Sequence, residues 1–285
     1  MIEELLVPFT YDYMVKAMWV SALVGAVCAF LSAYLMLKGW SLIGDALGHA
    51  VVPGVATAYL LGLPYSAGAF VAGGLAAASM VLVRARTRLR EDAVIGIIFT
   101  SFFALGLLIV SLNPTAVDVQ AIVMGNILGI SDGDVIQVVI ISLVSLAILI
   151  LKWKDLMLVF FDESHARTVG LNPRLLQVLF FALLAACTVA ALQTVGAILV
   201  IAMVVTPGAT AYLVTDRFRN LLVIAVILGS ATAAVGAYIS FFLDGATGGV
   251  IVSLQTALFL LAFFFAPKHG RLAARRRALR EAGVN

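Results

Sequence analysis

Apolar residues fall in nine runs of about 17 to 24, close to the ~20 needed for a helix to cross a bilayer. They cover residues 14–37, 42–61, 65–83, 93–112, 135–151, 175–192, 195–214, 221–243 and 248–266. Charge clusters or Gly and Pro close most of the runs, so the pattern predicts an all-α, polytopic transmembrane bundle of eight to nine spans. A tenth apolar stretch, 118–130, has only about a dozen residues and fits an interfacial or re-entrant helix better than a crossing. With 63% hydrophobic and 12% charged residues, the chain leaves no soluble domain over. It is read as one transmembrane domain, 1–285, with its membrane region at 14–266.

The basic residues are distributed on one side. Lys38, the arginines from Arg84 to Arg90, Lys152, Lys154, Arg167, Arg174, Arg217, Arg219 and the basic tail at 268–285 all fall on alternate connections. Of the 18 Lys and Arg residues only Lys16 lies elsewhere. The positive-inside rule assigns that side, with the C-terminus, to the cytoplasm. The net charge of +3 thus reports topology and lipid contact, with no nucleic acid implied. Cys28 and Cys187 sit far apart in apolar runs and match neither a zinc pattern nor a disulfide framework, so both are expected in the core.

Inside the second run, Asp45 and His49 stand one helical turn apart and share a face. An intramembrane Asp costs about 2.5 to 3.5 kcal/mol on insertion scales, and a bound cation is the obvious compensation. Pro53-Gly54 follows one turn later. Proline has no N–H, so the His49 carbonyl is expected to lose its helical partner and the helix to break where it faces protein or a wet cavity. Pro207-Gly208 repeats the device in the seventh run. Small-residue steps at 68–74 and 231–236 are expected to bring helices close.

The longest inside connection, 152–173, carries helix punctuation in its middle: Asp162, Glu163 and Ser164 suit a first turn, and Gly170 and Pro173 are stop signals. A short polar helix along the membrane surface is expected there. It is either a solvated connector or a docking element.

Four strings together point to a family. They are Gly-Asp-Ala-Leu-Gly-His-Ala-Val-Val-Pro-Gly at 44–54 with its flanks, Phe-Asp-Glu-Ser-His-Ala-Arg-Thr-Val-Gly-Leu at 161–171, the run at 195–211, and Ala-Pro-Lys-His-Gly at 266–270. Over nearly the whole chain these resemble the permease subunit of bacterial manganese, zinc and iron ABC importers, the ABC-3 family of metal-ion permeases. The resemblance implies a homodimeric fold like the vitamin B12 and siderophore permeases in the bacterial inner membrane. It also implies cytoplasmic ATPase subunits and an extracytoplasmic metal-binding protein as partners. The transported ion would be Mn²⁺, Fe²⁺ or Zn²⁺, and the wording of the outer segment at 123–131 leans to manganese. No cofactor would be permanently bound.

Carried over residue by residue, the resemblance makes Asp45 and His49 the metal ligands and 155–173 the coupling helix, with Asp162, Glu163, His165, Arg167 and Gly170 as its motif. His165 and His269 would have no ligand role. Asp118, Gln120 and Asn126 would touch the ion or the binding protein at the outer mouth. Two protomers would supply two carboxylates and two imidazoles, an N/O donor set suited to such ions.

Two other readings compete. A secondary transporter would use an ion gradient and find the 155–173 loop dispensable. An intramembrane metalloprotease would need a second histidine near His49, and the membrane region has none. No phosphate-loop signature occurs, so the chain itself is not expected to hydrolyse ATP.

Overall fold

The computed structural model describes residues 5–63, 65–112 and 131–266. The described residues are nearly all helical. A 3-10 turn at Val7–Thr10 precedes α1 (Asp12–Lys38), α2 (Ser41–Ala50), α3 (Val52–Leu60), α4 (Tyr65–Arg86), α5 (Glu91–Leu112) and α6 (Asp132–Phe161). There follow α7 (Glu163–Thr168), α8 (Pro173–Val195), α9 (Ala197–Val214), α10 (Phe218–Leu243) and α11 (Thr247–Phe265). Seven of these, α1, α4, α5, α6, α8, α10 and α11, are long and apolar enough to cross a membrane. The α2–α3 pair and α9 occupy the remaining two apolar runs. The stretch at 118–130 lies outside the described residues.

The second run is two helices: Pro53 falls at the start of α3 and the chain turns at Val51. One boundary differs from expectation. The fifth run does not stop near Lys152: α6, 30 residues long, runs on to Phe161. At 1.5 Å per residue that is about 45 Å, well beyond a ~30 Å hydrocarbon layer. Charge there marks the membrane edge and not the helix end, since no Gly or Pro intervenes and Lys152 pairs with Asp155 at 3.0 Å on the helix surface. Residues 155–161, expected in the coupling helix, therefore belong to α6.

The chain forms two compact units, residues 1–36 with 202–285, and residues 37–201. In the first, α1 and α10 meet at Gly25 and Gly229, where a methyl on either glycine would overlap the other's carbonyl oxygen. Gly236 of α10 lies equally close to Ile251 of α11. The small-residue step expected at 231–236 is thus a helix-packing seam. Ala29, Ala33, Ala211, Leu221 and Ala225 close the core beside it. Phe9, Tyr11, Tyr238 and Phe241 make ring contacts, an amphipathic aromatic belt of the kind found at a membrane–water interface.

In the second unit α8 packs on α2, α4 and α6, and α2 is flanked by α4, α5 and α8. Gly54 of α3 and Gly68 of α4 touch backbone to backbone, and Gly106 of α5 lies on Val52 and Pro53. Val51 at the helix break packs with Ala69 and Val189. Cys28 and Cys187 are both buried, as expected, and neither forms a disulfide.

Candidate functional site

α2 has ten residues, so its axis is about 15 Å long. Asp45 and His49 lie one turn apart on it, about 6 Å and 12 Å from its start. The imidazole of His49 is half-buried. Its ring centroid lies 5.5 Å from that of Phe99 and 5.4 Å from that of Phe103 in an edge-on arrangement. The two phenyl rings, one turn apart on α5, stack at 6.0 Å. They form an aromatic wall that orients the imidazole and covers part of it from solvent. Such ring pairs contribute about 0.5–1.5 kcal/mol each beyond burial. Sequence reasoning missed Phe99 and Phe103; their only signal was a pair of aromatics at i and i+4, which is also ordinary span composition.

The break after His49 differs from expectation in one respect. The His49 carbonyl accepts from the Val51 N–H at the end of α2, so it is not left free. α3 restarts with Gly54 and Val55 N–H groups both donating to the Val51 carbonyl at 3.0 Å. Thr57 closes the first turn of α3 through its hydroxyl, which donates to the carbonyls of Pro53 and Gly54.

Pro207 behaves otherwise, sitting inside an unbroken α9. The Ser32 hydroxyl donates to the Val205 carbonyl and accepts from the Gly208 N–H, both at 3.0 Å. It thereby serves backbone groups next to the proline. Asp118, Gln120 and Asn126 lie outside the described residues. Among the described residues, no three His, Cys, Asp or Glu side chains come together to hold a metal.

The second cluster of expected residues is folded as its punctuation predicts. Asp162 caps α7, its carboxylate accepting from the N–H groups of Ser164 at 2.9 Å and His165 at 3.0 Å. The His165 N–H bond, joined by that from Ser164 and the nearby His165 charge, holds the Asp162 carboxyl below the ordinary carboxylate range. At the other end Gly170 has φ 87°. Its N–H donates to Arg167 and that of Leu171 to Ala166, the double bond of a Schellman stop that favours glycine. Asn172 then caps α8, with Pro173 in its first turn.

Within this cluster Glu163 is the hub. It accepts from the Gln177 amide of α8 at 2.7 Å and lies 3.9 Å from Arg84 of α4 and from Arg167 of its own helix. Ala166 faces inward and is fully buried. Phe161 and Val169, beside the helix ends, are 78% and 60% exposed.

The family model for the ABC 3 transport family matches residues 10–266. The chain belongs to that family. It is a membrane permease of the ABC metal importers. It is 74% identical over 277 residues to the chelated iron transport system membrane protein YfeC of Yersinia pestis, covering 97% of this chain and 94% of the relative. A probable iron transport system membrane protein of Haemophilus influenzae is 66% identical, with 98% and 99% covered. The manganese transport system membrane protein MntB of Synechocystis is 49% identical, with 93% and 87% covered.

Among solved structures, PsaBC from Streptococcus pneumoniae in complex with Fab superposes with a TM-score of 0.84 at 32% identity, covering 99% of this chain and all of that one. An inward-facing metal-chelate type ABC transporter has the same fold, with a TM-score of 0.63 at 18% identity over 85% and 84% of the two chains.

Proposed function

We propose that this permease carries a divalent transition metal into the bacterial cytoplasm, with Asp45 and His49 as the ligands it offers the ion. The observation that carries the reading is the half-buried His49 imidazole, oriented by Phe99 and Phe103 one turn beyond Asp45 on a short separate helix. A carboxylate and an imidazole suit Fe²⁺, Mn²⁺ and Zn²⁺ alike. The relatives at 74% and 66% identity are named for iron and the one at 49% for manganese. Iron therefore joins manganese as the favoured cargo, and discrimination falls to the extracytoplasmic binding protein and to metal supply.

Two copies of the chain surround one pathway in this reading, with the C-terminus in the cytoplasm. α7 is the coupling helix for a separate ATPase subunit. The exposed Phe161 and Val169 beside its ends supply apolar surface for docking, and its Schellman stop and Asp162 cap give it a defined shape without the partner.

The test is uptake of ⁵⁵Fe and ⁵⁴Mn by cells expressing the permease with its ATPase and binding protein. Asp45→Ala and His49→Ala, at matched membrane abundance and with the ATPase still co-purifying, are expected to lower import by about 100-fold, at or beyond the upper range for loss of a supporting metal-site residue. Wild-type import by both variants would remove the pair from the metal path.

A further inference from the structure

Trp40 is the residue immediately before α2, and it is 4% exposed. Its ring stacks on Phe181 of α8 at 5.5 Å and meets Phe160, at the end of α6, edge-on at 5.4 Å. The Arg84 guanidinium carbon lies 5.3 Å from the Trp40 ring centroid, within the range of a cation–π contact. Arg84 also faces Glu163 of α7 at 3.9 Å. Trp40, Phe181, Arg84 and Glu163 line one cavity of about 250 Å³ beside the coupling helix.

The arrangement joins two things that are distant in sequence. Glu163 and Arg167 belong to the helix proposed to meet the ATPase; Trp40 starts the helix that carries Asp45 and His49. No side-chain cap fixes the start of α2, so ring packing around Trp40 sets the angle at which it begins. α2 is also a separate short rod. Gly39, at φ 71°, lies before it, and the Val51 turn ends it. Close-packed rings leave little slack between two arrangements, so a displacement of Glu163 is passed on and not absorbed.

We propose that Trp40 is a positioning residue for transport: through Arg84 and Glu163 it converts movement of the coupling helix into movement of the metal-bearing helix. The inference rests on the importer reading above and adds the link between its two sites.

The experiment uses the whole importer, permease with ATPase subunits and binding protein, in proteoliposomes, measuring metal imported and ATP hydrolysed in the same vesicles. Trp40→Leu keeps an apolar filler but removes the face that Arg84 covers, and Arg84→Lys keeps the charge opposite Glu163 but loses the planar stack. In each, hydrolysis and ATPase association are expected to stay near wild type while ATP consumed per metal imported rises by about tenfold, within the range reported for residues along a coupling route. Trp40→Phe restores most of the coupling, and the double variant Trp40→Leu with Arg84→Lys is no worse than Trp40→Leu alone, because both cut one link.

Unchanged stoichiometry would overturn the inference. So would import and hydrolysis falling together with loss of the ATPase, which would make the cluster a brace for docking only. Should Trp40→Leu fail to reach the membrane, Arg84→Lys on the cavity rim gives the same reading. Wild-type vesicles that hold the ATPase yet import no metal would overturn the importer reading itself, and this inference with it.

Discussion

The same dipeptide, Pro-Gly, occurs at 53–54 and 207–208 inside two apolar runs of similar length, and it has opposite consequences. At Pro53 the helix ends and a new one starts; at Pro207 the helix runs on. Both prolines remove one backbone donor, so the proline itself does not decide. At 207 a hydroxyl from another helix, Ser32, bonds the Val205 carbonyl and the Gly208 N–H and so ties the backbone on both sides of the proline to α1. At 53 the backbone satisfies itself by a tight turn at Val51, and the glycines are spent on close approach, Gly54 to Gly68 and Gly106 to Pro53. The neighbours differ in what they do beside the proline: at 207 a hydroxyl from α1 ties down adjacent backbone groups, and at 53 the neighbouring helices contribute only close backbone contact, where the helix breaks.

The largest expected contrast is between the two prolines themselves. Pro53→Ala offers the His49 carbonyl a helical i+4 donor in place of its Val51 bond, favours one continuous helix and moves the ring of His49 relative to Phe99 and Phe103, so metal import should fall strongly. Pro207→Ala should leave import close to wild type. Equal losses from the two would erase the distinction, and uptake of radioactive iron in cells measures it directly.

Next in size is Gly54→Ala, whose methyl would overlap the Gly68 carbonyl of α4. Overpacking of this kind costs about 1–3 kcal/mol, read as a lower unfolding temperature of the purified permease in detergent. A smaller effect is expected from Ser32→Ala, about 1 kcal/mol for the bonds it withdraws from a buried backbone. Combined with Pro207→Ala it should cost less than alone if Ser32 holds the backbone there because of the proline. Strict additivity of the two would mean that the Ser32 bonds are independent of the proline.

The smallest effect concerns the coupling helix. The folded-state carboxyl of Asp162 lies below its ordinary value. Its cap therefore contributes fully above the ordinary carboxylate pKa and is lost only as pH falls through the lowered one. ATPase association should be flat from about pH 8 to about pH 5 as far as this group is concerned. Asp162→Asn, which keeps the capping acceptor, should bind the ATPase like wild type, while Asp162→Ala should bind it slightly less well; co-purification yield compares them.

Legibility in the sequence followed the range of the forces involved. α7 and its neighbours were readable because their determinants are local: a capping carboxylate at 162, a glycine required at 170 and Asn172-Pro173 starting the next helix all act within a few residues. The end of α6 was misread because charge signals where the bilayer stops and says little about where hydrogen bonding along the backbone stops. Asp45 and His49 stood out because polar groups are expensive in lipid. Phe99, Phe103 and Trp40 did not, since an aromatic in an apolar span costs nothing unusual and its ring partner lies 50 to 141 residues away.

The sequence by itself therefore determined the helical class, the nine apolar runs, the sidedness of charge, the family, and the punctuation of the coupling helix, all consequences of composition and of interactions between near neighbours. Only the tertiary structure decided which proline breaks its helix, which rings orient His49, and which residues join the coupling helix to α2. Each of those depends on what a distant segment places beside a given backbone atom or ring, and a hydroxyl such as that of Ser32 looks the same in sequence whether it bonds its own helix or mends another.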